Sequence, residues 1–309
     1  MIKRVIEISK ESVHFTVEKD QLLLIRHEPD DGVLGRVPCE DIGLVLVDHQ
    51  ETTYTHAALA RLLDFGAAVV ICGRNHLPAG LLLPLPAHTE VVWRIHEQIN
   101  VSKPVRKQLW QQIVRAKIRA QARNLSSECP ARGRLLAMAD RVRSGDPDNM
   151  EAQAAKIYWS VWLSAAGDHS PAIPFQRAPQ GSDGLNGLLN YGYAVLRAAV
   201  GRALVAGGLF PPLGLHHANR SNAFCLADDL LEPLRPLVDR VVRRLYHQGQ
   251  TEVNPQTKKV LLELMTVTVR SGDQTGPLMV ALHRTVASLV RCYRGEEKQL
   301  LLPEIIDEE

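Results

Sequence analysis

Three stretches of this 309-residue chain carry side chains able to hold a divalent cation. Asp148-Asn-Met-Glu151 stands at the head of a helical pattern, Glu-Ala-Gln-Ala-Ala-Lys-Ile-Tyr-Trp. Gly214-Leu-His216-His217-Ala-Asn-Arg-Ser-Asn222 sets two adjacent histidines in a loop between apolar segments. Leu226-Ala-Asp228-Asp229-Leu-Leu-Glu232-Pro233-Leu-Arg235-Pro236 follows at once, and on a helix Asp229 and Glu232, three apart, share a face. Two carboxylates and one imidazole form an oxygen-dominated donor set, better suited to Mg²⁺ or Mn²⁺ than to zinc. A cation so held polarises a phosphate, stabilises the charge of an in-line displacement and activates an attacking hydroxyl, so no protein nucleophile is required. In keeping with this, the chain has no G-x-S-x-G elbow, Walker loop, HExxH helix or Rossmann glycine fingerprint.

Each stretch also has a plain structural reading. An acceptor at Asp148 with Glu151 three residues on is the pattern of a capping box, and carboxylates favour the first turn of a helix. Loop histidines are often surface residues, and Asp228 to Glu232 could be a solvated acidic helix start, with Pro233 near the first turn where its missing donor costs nothing.

The elements that would position these groups fall into two regions. Up to about residue 85 the pattern is β-rich. Val13, Phe15 and Val17 alternate with polar residues, Glu18-Lys-Asp-Gln21 supplies a turn, and Leu22 to Ile25 resumes an apolar run, which together predict a hairpin. Ile42 to Val47 reads as a buried strand, Thr55 as the N-cap of a helix reaching Gly66, and Ala67 to Cys72 as a further strand. Leu77 to Pro86, rich in Pro, Gly and Leu, reads as a bridge. Beyond it, helical periods run over Trp93–Asn100, Lys103–Leu125, Gly133–Val142, Glu151–Leu163, Leu188–Val205, Leu226–His247, Thr257–Val269 and Leu278–Arg294, with a Gly/Pro/Ser-rich loop from Gly167 to Gly187. The expectation is an α+β chain: an N-terminal β-rich, sandwich-like domain over 1–85, then a larger all-α domain over 86–309 carrying the site.

With 45% hydrophobic residues the chain can bury a large core, and no apolar run approaches the ~20 residues of a membrane span, so a soluble cytoplasmic protein is expected. Cys39, Cys72, Cys129, Cys225 and Cys292 are scattered without CxxC spacing and read as reduced thiols. The net charge of +2 hides an asymmetry. Residues 1–90 carry 8 Lys/Arg against 13 Asp/Glu, or −5, and residues 91–295 carry 27 against 15, or +12. A basic field of that extent suits a polyanion such as nucleic acid.

Taken together, these stretches resemble the CRISPR-associated endonuclease/integrase that inserts new spacers, the first of the two universal adaptation proteins. The resemblance runs from Pro38-Cys-Glu-Asp-Ile-Gly-Leu-Val-Leu-Val-Asp48 through Gly66-Ala-Ala-Val-Val-Ile-Cys-Gly73, Leu77-Pro-Ala-Gly-Leu-Leu-Leu-Pro84, Ser144-Gly-Asp and Asn149-Met-Glu-Ala-Gln-Ala-Ala. Its strongest portion, Leu213 to Pro236, is similar to variants that accompany single-protein (type II) effector nucleases. The resemblance implies a metal site of Glu151, His217 and Glu232, with His217 preferred to His216 by its distance from the Asp-Leu-Leu-Glu segment, and Asp229 and His216 as supporting groups. It also implies attack by a DNA 3′-hydroxyl on a phosphodiester, a homodimer, two such dimers bridged by a dimer of the second universal adaptation protein, and contact with the effector nuclease and other adaptation proteins. Arg115, Lys117, Arg119, Arg123, Arg240, Arg243 and Arg244 are the candidate contacts to double-stranded and branched DNA.

Two other functions compete with this one. A non-catalytic DNA scaffold would bind DNA with or without metal and cut nothing. A metal-dependent hydrolase of small phosphorylated molecules could use the same donors, but it has no need of an extended basic surface.

Overall fold

The structure is a computed structural model that describes residues 3–26, 32–85, 88–163, 175–182 and 184–306. The N-terminal region holds β1 (Arg4–Ile8), β2 (Val13–Glu18), β3 (Gln21–Arg26), β4 (Val33–Pro38), β5 (Ile42–Val47), β6 (Thr53–Tyr54), α1 (His56–Asp64), β7 (Ala68–Cys72) and β8 (Pro78–Leu82). These strands form two four-stranded sheets, β4-β3-β2-β6 and β1-β5-β7-β8. The expected hairpin is β2–β3, paired from Val13↔Arg26 to Glu18↔Gln21. Its two-residue turn, Lys19 and Asp20, has φ of 48° and 62°, the positive-φ geometry that matches the twist of paired strands.

Strand β5 is apolar throughout because it is covered on both sides: Leu44 and Leu46 face the helices, while Val45 and Val47 face the cluster around Phe15 and Leu22. It runs parallel to β1 and β7, the arrangement in which continuous apolar runs are expected. Helix α1 connects β5 to β7, and the Thr55 side chain accepts from the Ala58 amide at 3.1 Å as its cap. The bridge read from Leu77 onward forms an edge strand over its first residues. Pro78 opens β8, where a missing donor is harmless, and β8 pairs antiparallel with β7.

The C-terminal region holds α2 (Val91–Asn100), α3 (Lys103–Arg123), α4 (Pro130–Arg141), α5 (Met150–Val161), α6 (Gly184–Ala206), α7 (Cys225–Leu231), α8 (Arg235–His247), α9 (Pro255–Leu262), β9 (Thr268–Ser271), β10 (Gln274–Pro277), α10 (Leu278–Arg294) and β11 (Glu304–Ile305). Three departures from the sequence reading have local causes. The run expected over Leu226–His247 breaks into α7, a 3₁₀ turn at Glu232–Leu234 and α8, where Pro233 and Pro236 remove backbone donors. The region is not purely helical, since β9, β10 and β11 form a sheet in the order β10-β9-β11. Helix α9 ends at Leu262, and the alternation Val267, Val269 with Thr268, Arg270 is strand period rather than helix period. Helix α6 begins at Gly184, earlier than expected. Of the loop expected over 167–187, residues 167–174 and 183 lie outside the described residues, and 175–182 are tied back to α6 through Asn186, which accepts from the Ala178 amide at 2.8 Å.

One apolar cluster runs from Leu44, Leu46, Ala68 and Val70 of the sheet into α3, α5, α6, α8 and α10. Helix α6 is buried around nearly its whole circumference, from Leu188 to Val205, and serves as the axis of that cluster. The five cysteines are all free.

Candidate functional site

The site forms where α3, α5, the loop Leu213–Asn222 and the α7–α8 junction meet. On α3 the residues Trp110, Ile113, Val114, Ile118 and Gln121 are buried, and Lys117 lies on the same inward stripe at 7% exposure. Its ammonium donates to Glu151 Oε1 of α5 and, at 2.5 Å, to Glu232 Oε2 of the 3₁₀ turn. The other oxygen of Glu232, Oε1, accepts from Arg235 Nε at 2.9 Å. Burial alone would raise the Glu232 pKa, but the Arg235 and Lys117 charges outweigh it and hold the carboxylate at about 2. Burial likewise works to lower the Lys117 pKa, and the two glutamates overcome it, so that the ammonium is favoured.

Glu151 is free for this role because another residue caps its helix. Asp146, with φ of 49°, accepts from the amides of Met150 and Glu151 at 2.9 and 3.0 Å. Asp148, the expected cap, instead pairs with Arg143 at 2.6 Å, and the N-cap residue Asn149 sits in the left-handed region at φ 52° with no side-chain cap bond. The capping-box reading of Asp148 and Glu151 is therefore not realised.

The histidine loop is organised by Asp229. Its carboxylate is fully buried and accepts from the amides of Leu215 at 2.6 Å, His216 at 3.1 Å and His217 at 3.1 Å. The same carboxylate meets His217 Nδ1 at 2.6 Å. That bond is the main cause raising the His217 pKa above its ordinary value, against burial. With Nδ1 so held, Nε2 is the ring atom left to meet a ligand. Gly214 is required for the tight approach, since a β-carbon there would collide with the His217 carbonyl and lie 2.8 Å from Asp229 Oδ2. His216 is bound differently: it is exposed and stacks on Trp110, ring centroids 4.1 Å apart and planes 1° from parallel. The Trp110 and His217 rings also meet in a T-shaped contact, centroids 5.9 Å apart and planes at 86°.

As placed, no three His, Cys, Asp or Glu side chains among the described residues converge tightly enough to form a metal cage. The donor chemistry nevertheless fits a hard cation, and the fit has a direct sign: the Lys117 ammonium, held by both carboxylates, stands in for a positive ion between Glu151 and Glu232.

The remaining basic candidates lie elsewhere. Arg115, Arg119 and Arg123 line a groove of about 680 Å³ closed on its other side by Gln299–Ile305. There Arg115 Nη2 donates to the Val142 carbonyl at 2.9 Å, Arg119 pairs with Asp140 at 2.9 Å and Arg123 with Glu304 at 3.0 Å. Arg240 Nε donates to Asn124 Oδ1 at 3.2 Å, half-buried Arg243 donates to the Trp162 carbonyl at 3.5 Å, and Arg244 is exposed. Lys117, expected on the DNA-facing surface, points inward because its helical position belongs to the apolar stripe. Residues not anticipated are Arg235, Asp146 and Trp110. The first carries an i,i+3 spacing from Glu232, and the last lies two turns before Lys117 on the same face.

Residues 6–267 match the family model described as CRISPR associated protein Cas1. The chain belongs to that family. The Cas1-family chain is 37% identical to "CRISPR-associated endonuclease Cas1" of Neisseria meningitidis serogroup C (strain 8013), over 94% of this chain and 93% of that protein. It is 27% identical to "CRISPR-associated endonuclease Cas1 2" of Pyrobaculum aerophilum, over 82% and 88%. Among solved structures, the fold is similar to a Cas1 protein from Thermotoga maritima, with a TM-score of 0.73 at 18% identity over 97% of this chain and 100% of that one. It is equally similar to a casposase bound to integration product, with a TM-score of 0.73 at 16% identity over 96% and 92%.

Proposed function

We propose that this Cas1-family chain cuts and joins DNA phosphodiesters with a bound Mg²⁺ or Mn²⁺, inserting new spacers into a CRISPR array. The observation that carries the reading is the meeting of Glu151, Glu232 and a buried cation beside a histidine whose ring is fixed by Asp229. Glu151, Glu232 and His217 Nε2 would hold the ion, which supplies Lewis-acid polarisation of the phosphate and lowers the pKa of the attacking hydroxyl. Asp229 keeps the His217 ring in one orientation and one tautomer. Arg235 keeps Glu232 ionised, and Trp110 packs against both histidines, stacked on His216 and in a T-shaped contact with His217. The reaction is a transesterification: a DNA 3′-hydroxyl attacks phosphorus, the new P–O bond forms as the old one breaks, and the displaced strand leaves with a free 3′-hydroxyl. The reverse reaction releases a branch, and water in place of the hydroxyl gives hydrolysis.

The partners follow from the same reading. Double-stranded and branched DNA meet the +12 field of residues 91–295, with Arg115, Arg119, Arg123 and Arg244 as phosphate contacts. The curated relatives are named endonucleases, the casposase was solved with its integration product, and two further fold neighbours, with TM-scores of 0.75 and 0.60 at 16% identity, come from complexes that contain Cas2. The Cas2-containing neighbours support the second universal adaptation protein as a partner, and we further propose that this chain is a homodimer, two copies of which a dimer of that protein bridges. Among the described residues, no helix is long and apolar enough to cross a membrane.

The test is turnover of a labelled branched DNA by the purified chain with Mn²⁺, Mg²⁺ or chelator, in wild type, Glu151→Ala and His217→Ala. Metal-dependent strand release that both substitutions abolish supports the reading. DNA binding indifferent to metal, with no strand release alone or with the second adaptation protein, would make the chain a scaffold.

A further inference from the structure

Among the described residues, Lys117 is the one lysine whose ammonium links the two candidate carboxylate ligands. It is buried along with Ile113, Val114, Ile118 and Gln121 of α3, so the charge is led inward by the helix face on which it stands. A lysine so placed needs counter-ions, and here both counter-ions come from other elements, α5 and the 3₁₀ turn. Arg235 occupies Glu232 Oε1 and Lys117 holds Oε2, so both oxygens of Glu232 already have a cationic partner.

We propose that Lys117 is a built-in competitor for the metal ion: its ammonium clamps Glu151 to Glu232, and a divalent cation must take at least one of those carboxylates from it. The proposal rests on the metal reading of this site given above. The charge balance makes it quantitative. Glu151, Asp229 and Glu232 contribute three negative charges, and Lys117 and Arg235 two positive ones. A neutral His217 leaves −1 for the incoming ion to meet. Without Lys117 the balance is −2, and both carboxylate oxygens are unclaimed. Lys117 thus positions the ligands while holding their affinity for the ion down, which distinguishes it from an ion pair that only stabilises the fold.

The experiment is Mn²⁺ titration of the full chain, followed by the paramagnetic signal of free Mn²⁺, in wild type, Lys117→Met, Lys117→Arg and Glu151→Gln, with thermal melts of each. Lys117→Met should bind Mn²⁺ about ten-fold or more tightly, the expected scale for removing one nearby unit charge from a shielded site. Lys117→Arg should stay at or above the wild-type dissociation constant. The rise in Tm on adding Mn²⁺ should be larger for Lys117→Met than for wild type. If methionine prevents folding, Lys117→Gln, which keeps hydrogen bonding without the charge, reads the same way. Equal or weaker Mn²⁺ binding by a folded, uncharged Lys117 variant, with binding lost in Glu151→Gln, overturns the competitor role and leaves the metal site standing. Undiminished Mn²⁺ binding in Glu151→Gln would instead overturn the metal reading itself.

Discussion

Asp229 holds His217 at two points, accepting from its backbone amide at 3.1 Å and meeting its ring Nδ1 at 2.6 Å. Backbone and side chain of the histidine are therefore fixed by one buried carboxylate, which also takes the amides of Leu215 and His216. Asp229→Asn keeps the shape but turns an amide NH₂ toward groups that are themselves donors. Strand release should fall about 10–100-fold, the range for losing a supporting group behind a metal ligand. Stability should fall by roughly 1–3 kcal/mol from buried donors left unpaired. Turnover of branched DNA and urea unfolding check the two effects, and unchanged turnover would remove Asp229 from the positioning role.

Arg235 is the other fixed point, because it claims one oxygen of a carboxylate that is 8% exposed. Arg235→Met leaves Glu232 with Lys117 as its remaining cation. Urea unfolding should show a loss smaller than the roughly 3–5 kcal/mol of a buried charge left with no partner, because Lys117 still pairs with Glu232. Arg235→Lys should recover only a fraction of this, since the guanidinium also lies 4.7 Å from the Tyr193 ring centroid.

Behind the site, burial pushes the Asp239 pKa up to about 7, although Tyr193 and Tyr158 hydrogen-bond to it and oppose the shift. The folded protein then keeps a proton on Asp239 that the unfolded chain loses near pH 4. This group's contribution to stability is complete below about pH 4 and declines as pH rises to about 7. Asp239→Asn has no proton to lose. The stability of that variant relative to wild type should climb across the window, with a slope of up to about 1.4 kcal/mol per pH unit. Thermal or urea unfolding from pH 4 to 8 reads it, and parallel curves would mean that Asp239 is ionised in the fold.

The groove beside α3 makes a prediction about salt. If Arg119 and Arg123 hold phosphates, each exchanges an internal acid, Asp140 or Glu304, for DNA. Arg119→Gln and Arg123→Gln should each weaken duplex binding at all sequences and reduce the slope of log affinity against log salt by about 1. Unchanged slopes in both variants would take DNA out of the groove.

How far the site is legible in the sequence depends on whether a residue's direction is set locally. Glu232 and Asp229 are legible because they share one short stretch, and Ile42–Val47 because a strand buried on both sides is apolar at every position. Lys117 is only half legible. Its place two turns after Trp110 puts it on the apolar stripe, but a lysine in a basic helix is counted by default among surface charges. The cap at Asp146 depends on left-handed backbone at Asp146 and Asn149, which no side-chain pattern announces. The strands β9 and β10 are hidden because four-residue strands flanking Gly272 are too short to outweigh the helical period on either side.

The apolar cluster that passes from Leu44 and Leu46 through α6 to the α7–α8 junction has a practical consequence for dissecting the molecule. Cutting the chain between β8 and α2 would leave a pair of fragments, each presenting the other's contact face as bare hydrocarbon. A helical fragment expressed alone should aggregate rather than behave as a small nuclease. By the same continuity, a cavity opened under β5, far in sequence from any ligand, should be felt as slackness at Glu232.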